Sequence, residues 1–380
     1  MMMCNTNMAL HNGNQVDAQH KRRVHSVFFA QGILGMKRLS EAIILRGLPA
    51  ALCLTFALLC SAAKVGAQAP TATPDSPTVL EFHLPMLRSQ PMGIAAGPDG
   101  NVWFTEYGAN QIGRITPTGV ITEFPLPLEN SLPMGIVGGP DGNVWFTETG
   151  TSRIGRITPA GNITDYLIPT DGAFPLAIVV GPDKNLWFTE FFGGKIGRIT
   201  PDGAISEFII HTVSTFPIGL TVGSDGALWF TEDSTDQIAR MTLAGTVKEF
   251  SVPQPMNYPN FIAMGPQGAL WFTEQDPNRL GQITLDGAVT AVTIPLLTSV
   301  PRKIILGADN NFWATLFYSN HIARITPNGA VTEIAVPTPG GLPTDLVFGS
   351  DGNVWFTEYG NSTIGVIKLG ATGVATSTAF

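Results

Sequence analysis

From Met92 to Pro127 the chain reads MGIAAG-PDG-NVWFTEY-GANQ-IGRIT-PTG-VITEFPLP. Four short β-prone runs alternate with Pro-Asp-Gly, Gly-Ala-Asn and Pro-Thr-Gly, whose glycines supply the positive φ that tight turns need. No run has room for a helix of about 10 residues. The first run (Gly93, Ile94, Ala95, Ala96) is small and apolar, which suits a crowded inner strand. Val102, Trp103 and Phe104 then bring bulk to pack between neighbouring units. Burying each large side chain stabilises by roughly 1.5–3 kcal/mol.

The unit recurs without an insertion or deletion. Trp103, Trp145, Trp187, Trp229, Trp271, Trp313 and Trp355 stand 42 residues apart, and Pro91, Pro133, Pro175, Pro217, Pro259, Pro301 and Pro343 keep the same step. A four-stranded repeat of this length predicts propeller blades, so the chain is read as an all-β, seven-bladed β-propeller over residues 78–369. The tryptophans are expected to be structural and not a ligand cage. Outer strands begin at Ile121, Ile163, Ile205, Val247, Val289 and Val331, 18 residues after each Trp. After Trp355 that place falls at Gly373, in an Ala/Thr-rich tail (370–380). The missing strand is found instead at Val79-Leu80-Glu81-Phe82. Residues 78–85 are therefore expected to pair with 362–369, closing the ring and leaving no free sheet edge.

Composition agrees: 42 glycines, 29 prolines and 13% charged residues mark a turn-rich chain. Lys37, Arg38 and Arg46, the apolar run Leu48–Ala63 and the small-x-small Val65-Gly66-Ala67 read as a signal peptide over 36–67. Pro49 and Thr55 interrupt that run, which is too short for a membrane span of roughly 20 residues. Export to the periplasm or the extracellular medium is expected. Residues 1–35 form an unassigned extension, compatible with an overcalled start, and 68–77 read as a linker. Cleavage after Ala67 removes Cys4, Cys53 and Cys60, leaving no cysteine chemistry. It also removes seven of 21 basic and two of 29 acidic residues, leaving 14 and 27 and a net charge of −13. Such a surface repels nucleic acid and anionic membrane, and neither is expected as a partner. The mature protein is expected to be a monomer.

The pattern PMGI…GPDGNVWFTE…IGRITP.G.ITEFPLP resembles the virginiamycin B lyase (streptogramin lyase) family over essentially all of 78–369. The resemblance implies a seven-bladed propeller that linearises a cyclic depsipeptide by elimination at its ester, with a divalent metal, Mg²⁺. It places the chemistry at one mouth of the channel in the last two blades, where histidines follow the blade-opening proline. In this chain the post-proline residues are Met92, Met134, Leu176, Ile218, Asn260, Arg302 and Thr344. Arg302 and Thr344 stand where the resemblance implies histidines, and Leu342 where it implies a glutamate. Arginine neither ligates a metal nor accepts a proton at neutral pH, and threonine is a poor replacement for imidazole. Of that set Glu358 alone keeps a counterpart, and it is the candidate metal ligand.

Glutamate stands three residues after six of the tryptophans: Glu106, Glu148, Glu190, Glu232, Glu274 and Glu358; Leu316 takes the place in the sixth blade. Unpaired carboxylates about 6 Å apart repel by roughly 3 kcal/mol at an effective dielectric near 20. Pairing with the arginines of the next strand (Arg114, Arg156, Arg198, Arg240, Arg324) is therefore expected, against the alternative of a cation-binding ring. Gln282 and Val366 leave Glu274 and Glu358 without that partner. Polar Asn260, Arg302 and Thr344 also fall in blades five to seven, with Tyr318 and Tyr359 following the second strand. This sector is the candidate binding site for a small molecule, glycan, peptide or protein, and Glu358, Glu274 and Arg302 are the candidate catalytic residues. His83, His211 and His321 fall outside it, His321 in a hairpin slot that is polar in the other blades. Asp99, Asp141 and Asp351 are read as turn formers, since no second acid stands at calcium-ligand spacing.

Overall fold

The computed structural model describes residues 77–253, 258–275, 279–292 and 299–369. The extension, the signal peptide, nearly all of the linker and the tail lie outside the described residues. Seven four-stranded antiparallel sheets form the blades of the propeller. The first runs from its inner strand Pro91–Ala96 through Val102–Glu106 and Gln111–Ile115 to an outer strand Ile121–Pro125. The seventh runs Pro343–Phe348, Val354–Glu358, Thr363–Lys368, and its fourth strand is Thr78–His83 from the other end of the chain. That strand pairs with Thr363–Lys368 in register from Thr78 opposite Lys368 to His83 opposite Thr363. Among the described residues no helix is long and apolar enough to cross a membrane.

Alternation along the second strand builds the core. Trp and Phe are consecutive, so they leave opposite faces of the blade. Trp103 packs with Ile136, Val144 and Phe146 of the next blade, while Phe104 joins Trp355, Ile364 and Val366 of the preceding one. Blade six reads Phe312-Trp313-Ala314, with the bulk moved two residues upstream. Strand periodicity keeps it on the same face, and the Phe312 ring lies 4.7 Å from that of Trp271. A glycine on the third strand makes room for the phenylalanine: a Cβ on Gly113 would stand 2.0 Å from the Phe104 ring.

The following threonine ties blade to blade. Each inner strand bulges just after its opening proline, which leaves an inner N–H without a ladder partner. The hydroxyl of Thr105 accepts that N–H from Gly93 (2.9 Å) and donates to the Met134 carbonyl of the next blade (2.8 Å). The donation recurs from Thr147, Thr189, Thr231, Thr315 and Thr357, the last reaching Met92 of blade one.

The aromatic of the N-terminal strand yields a test. Phe82 stacks on Trp355 with centroids 5.9 Å apart. Phe82→Ala is expected to cost about 2 kcal/mol in chemical denaturation. Deleting residues 68–85 should expose the edge of Thr363–Lys368 and yield aggregates on size exclusion. A deletion product that stays monomeric with an unchanged melting temperature would refute this role.

Candidate functional site

Inner strands begin and second strands end at the same mouth of the channel, because the two are antiparallel neighbours. Pro91 faces Glu106 across the ladder, and Pro343 faces Glu358. The residues before the prolines (Gln90, Leu132, Phe174, Phe216, Tyr258, Val300, Leu342) all have φ between 45 and 54°. Non-glycine residues held there cost of order 1–3 kcal/mol each, most for a β-branched side chain such as Val300. Their carbonyls accept from the residue after the second strand: Tyr107 N to Gln90 O (3.2 Å), Phe317 N to Val300 O and Tyr359 N to Leu342 O (both 3.3 Å). This strained ring was not among the sequence expectations, although its members stand at the same 42-residue step.

Three of the expected site residues come together. The Arg302 guanidinium lies over the Phe317 ring, 4.8 Å from its centroid, with Tyr318 and Tyr359 beside it. Arg302 still offers surface to the channel, but burial pulls its pKa below the usual value, opposed by Tyr318, Tyr359 and Asp345. Burial raises both phenols despite the arginine, so they remain hydroxyl donors at neutral pH. Gln90 and Tyr107 also neighbour Tyr359.

The other expected residues do not join that cluster. Thr344 is buried and donates its hydroxyl to the Leu342 carbonyl at 3.0 Å. Asn260 is 4% exposed, and its Oδ1 has no hydrogen-bond partner. Glu274 ion-pairs with Arg279, Nε to Oε2 at 2.7 Å. Glu358 is buried beside Glu81 of the N-terminal strand. Neither glutamate joins the Arg302 cluster.

A row the sequence reading overlooked lies one residue deeper in the channel. At the 42-residue step it holds Gly93, Gly135, Ala177 and Gly219 in blades one to four, then Phe261, Lys303 and Asp345. Lys303 Nζ lies 5.4 Å from the Phe261 ring centroid and 3.5 Å from Asp345 Oδ1. Asp345 Oδ2 accepts from Ile94 N of blade one at 3.3 Å. Three large side chains thus belt the inner strands of blades five to seven.

The opposite half of the mouth is apolar. Phe191, Leu176 and Ile218 form a buried cluster with Met134, Phe174 and Phe216 packed on it. Phe191 and Phe216 stack at 5.0 Å, and Phe192, 37% exposed, stands 5.0 Å from Phe174.

The expected pairing of the second-strand glutamates with Arg114, Arg156, Arg198, Arg240 and Arg324 does not occur. The hairpin register sets Glu106 opposite Gln111 and Trp103 opposite Arg114. Arg114 therefore lies on the Trp103 and Phe124 rings, toward Asp99 of the first turn. Asp99 also accepts the Trp103 indole N–H at 3.0 Å, a contact repeated by Asp141, Asp183, Asp225 and Asp351. The glutamates instead lie buried next to an acid of the blade's outer strand. Burial first, and that acid second or later, raises their pKa values. Glu106 beside Glu123 and Glu148 beside Asp165 reach about 7, as does Glu232 beside Glu249. Glu190 beside Glu207 and Glu358 beside Glu81 reach about 8. Near pH 7 Glu190 and Glu358 are therefore mostly protonated, and Glu106, Glu148 and Glu232 about half so.

That donor set does not fit Mg²⁺. Burial beside Glu81 raises the Glu358 pKa to about 8, the Glu81 oxygens accept from Thr338 N and Oγ1, and among the described residues no three His, Cys, Asp or Glu side chains converge. His83 Nδ1 meets Thr363 Oγ1, and His321 Nδ1 meets the Ser319 carbonyl. His211 is exposed.

A model of the virginiamycin B lyase family matches residues 57–256 and 220–376. Among solved structures, selenomethionine-substituted virginiamycin B lyase from Staphylococcus aureus is 37% identical, with TM-score 0.74 over 77% of this chain and 99% of that one. A streptogramin B lyase structure is 35% identical with TM-score 0.74, over 77% of this chain and 98% of that one. A catalytically inactive histidine-to-alanine variant of the S. aureus enzyme with quinupristin is 38% identical, with TM-score 0.73 over 77% and 99%.

The buried carboxyls make stability pH-dependent. Their folded pKa values lie above the unfolded value near 4.5, so their stabilisation is complete below that value and is lost as pH rises through 7–8. The melting temperature should fall between pH 5 and 8.5. Glu190→Gln should recover about 1–3 kcal/mol at pH 8.5 and change little at pH 5. Denaturation at the two pH values checks this, and a flat wild-type profile contradicts it.

Proposed function

The chain belongs to the virginiamycin B lyase family, and we propose that it serves there as a binding propeller, taking a small molecule, glycan, peptide or protein at one mouth of its channel. The observation that carries this reading is the Arg302–Tyr318–Tyr359 cluster at that mouth. The post-proline places that the family resemblance assigns to histidine hold Arg302 and Thr344. A relative 38% identical over its length is catalytically inactive once a single histidine is replaced by alanine. A guanidinium and two phenols donate hydrogen bonds; they do not remove a proton from a substrate at neutral pH.

The second reading is a carbon–oxygen lyase acting on a cyclic depsipeptide or related lactone through a rebuilt site. Similarity over 99% of the S. aureus enzyme favours it. In that case Glu358, with its pKa near 8, supplies the base once ionised. Residues 36–67 support export to the periplasm or beyond.

Incubating the purified protein with a streptogramin B depsipeptide, with Mg²⁺ or EDTA, and following the mass of the product separates the readings. No linear product is expected at high protein concentration. An EDTA-sensitive linear product that Glu358→Gln abolishes would establish the lyase instead. Intact mass of the exported protein should correspond to a chain beginning at Gln68; retention of residues 36–67 argues against processing.

A further inference from the structure

The mouth is chemically divided, and its polar half has two unmet valences. Arg302 is a densely surrounded cation with no carboxylate at ion-pair distance among the described residues. Its acidic neighbour Asp345 is committed elsewhere, Oδ1 to Leu346 N (2.7 Å) and Lys303, Oδ2 to Ile94 N. Tyr318 and Tyr359 stay neutral and cannot supply the missing charge. A guanidinium only partly open to water and without a counter-ion favours a bound anion that completes it, and a carboxylate matches its planar fork. Asn260 holds the same place on the adjacent inner strand, and its buried Oδ1 is an acceptor with no donor. Such an orphan costs about 1–3 kcal/mol, which an N–H from a ligand relieves.

Across the mouth, Phe174, Phe191, Phe192 and Phe216 offer aromatic surface and no charge. The net charge of −13 for residues 68–380 disfavours a polyanion. A single carboxylate, a neighbouring N–H and an apolar body satisfy all three features together.

We infer that the mouth binds the C-terminal residue of a short apolar peptide, with its carboxylate on Arg302, its amide N–H on Asn260 Oδ1 and its side chains against the phenylalanine half. The inference rests on the reading of this mouth as a binding site and names the chemical class that site selects.

Titration calorimetry with acetyl-Ala-Phe-Phe as the free acid and as the C-terminal amide tests it. The acid should bind at least about tenfold more tightly than the amide. Arg302→Gln should remove that preference, and Asn260→Leu should weaken both peptides. Arg302→Gln also relieves an unpaired desolvated charge, so its melting temperature should equal or exceed that of the wild type, which separates lost binding from lost folding. Equal binding of acid and amide, weakened by Tyr359→Ala or Phe216→Ala, overturns the carboxylate assignment while leaving the mouth as a binding site. Absence of saturable binding by either peptide to the folded protein overturns both.

Discussion

One threonine hydroxyl per blade holds the architecture together. It accepts an N–H from the inner strand of its own blade, as from Gly93 to Thr105 and from Asp345 to Thr357. In six blades it also donates to the inner strand of the next. All seven threonines are buried, where a hydroxyl satisfied on both sides is worth most and an unsatisfied one costs most. The bulge after each proline frees the N–H, and the freed N–H orients the hydroxyl toward the neighbouring blade. Because the acceptor is the backbone of the post-proline residue, that side chain is left free to vary. The mouth can therefore change its chemistry without loosening the ring.

The ring departs from this scheme where the mouth turns polar. Thr273 of blade five approaches the carbonyl of its own Phe261 at 3.5 Å, not that of Arg302. Phe261, Lys303 and Asp345 begin where the Gly/Ala row ends. Gly135 and Gly219 have no space for a side chain, since a Cβ would stand 2.2 and 2.3 Å from a carbonyl of the next blade. Where the inner strands admit larger residues, an ion pair and a cation–π contact take over part of the bonding between them.

The buried glutamates show how one residue type takes on a different role under desolvation. Opposed to an outer-strand acid and kept from water, five of them titrate near 7–8 and not near 4.5. Glu274 differs because Arg279 reaches it and opposes the burial that still raises its pKa. Arg114 and Arg324 are released from that duty and gain both an aromatic ring and an aspartate of the first turn, Arg156 and Arg198 lie on the rings, and Arg240 meets the aspartate.

The amino-acid sequence determined the number of blades, the position of each strand, the burial of the tryptophans and the sector in which the repeat becomes polar. A strict 42-residue step writes these in linear form, and local turn chemistry with strand alternation suffices to read them. The hairpin register was legible too, since four residues separate Glu106 from Gln111 and place Arg114 opposite Trp103. Only the tertiary structure decided which acid each glutamate meets, that Thr344 bonds the Leu342 carbonyl, and that Arg302 lacks a counter-ion while Asp345 is already bonded. Those outcomes depend on desolvation and on neighbours hundreds of residues apart, as between Glu81 and Glu358. Periodicity specifies a residue's place in its blade; charge state and pairing follow from what the adjoining strands bring to the same few ångströms.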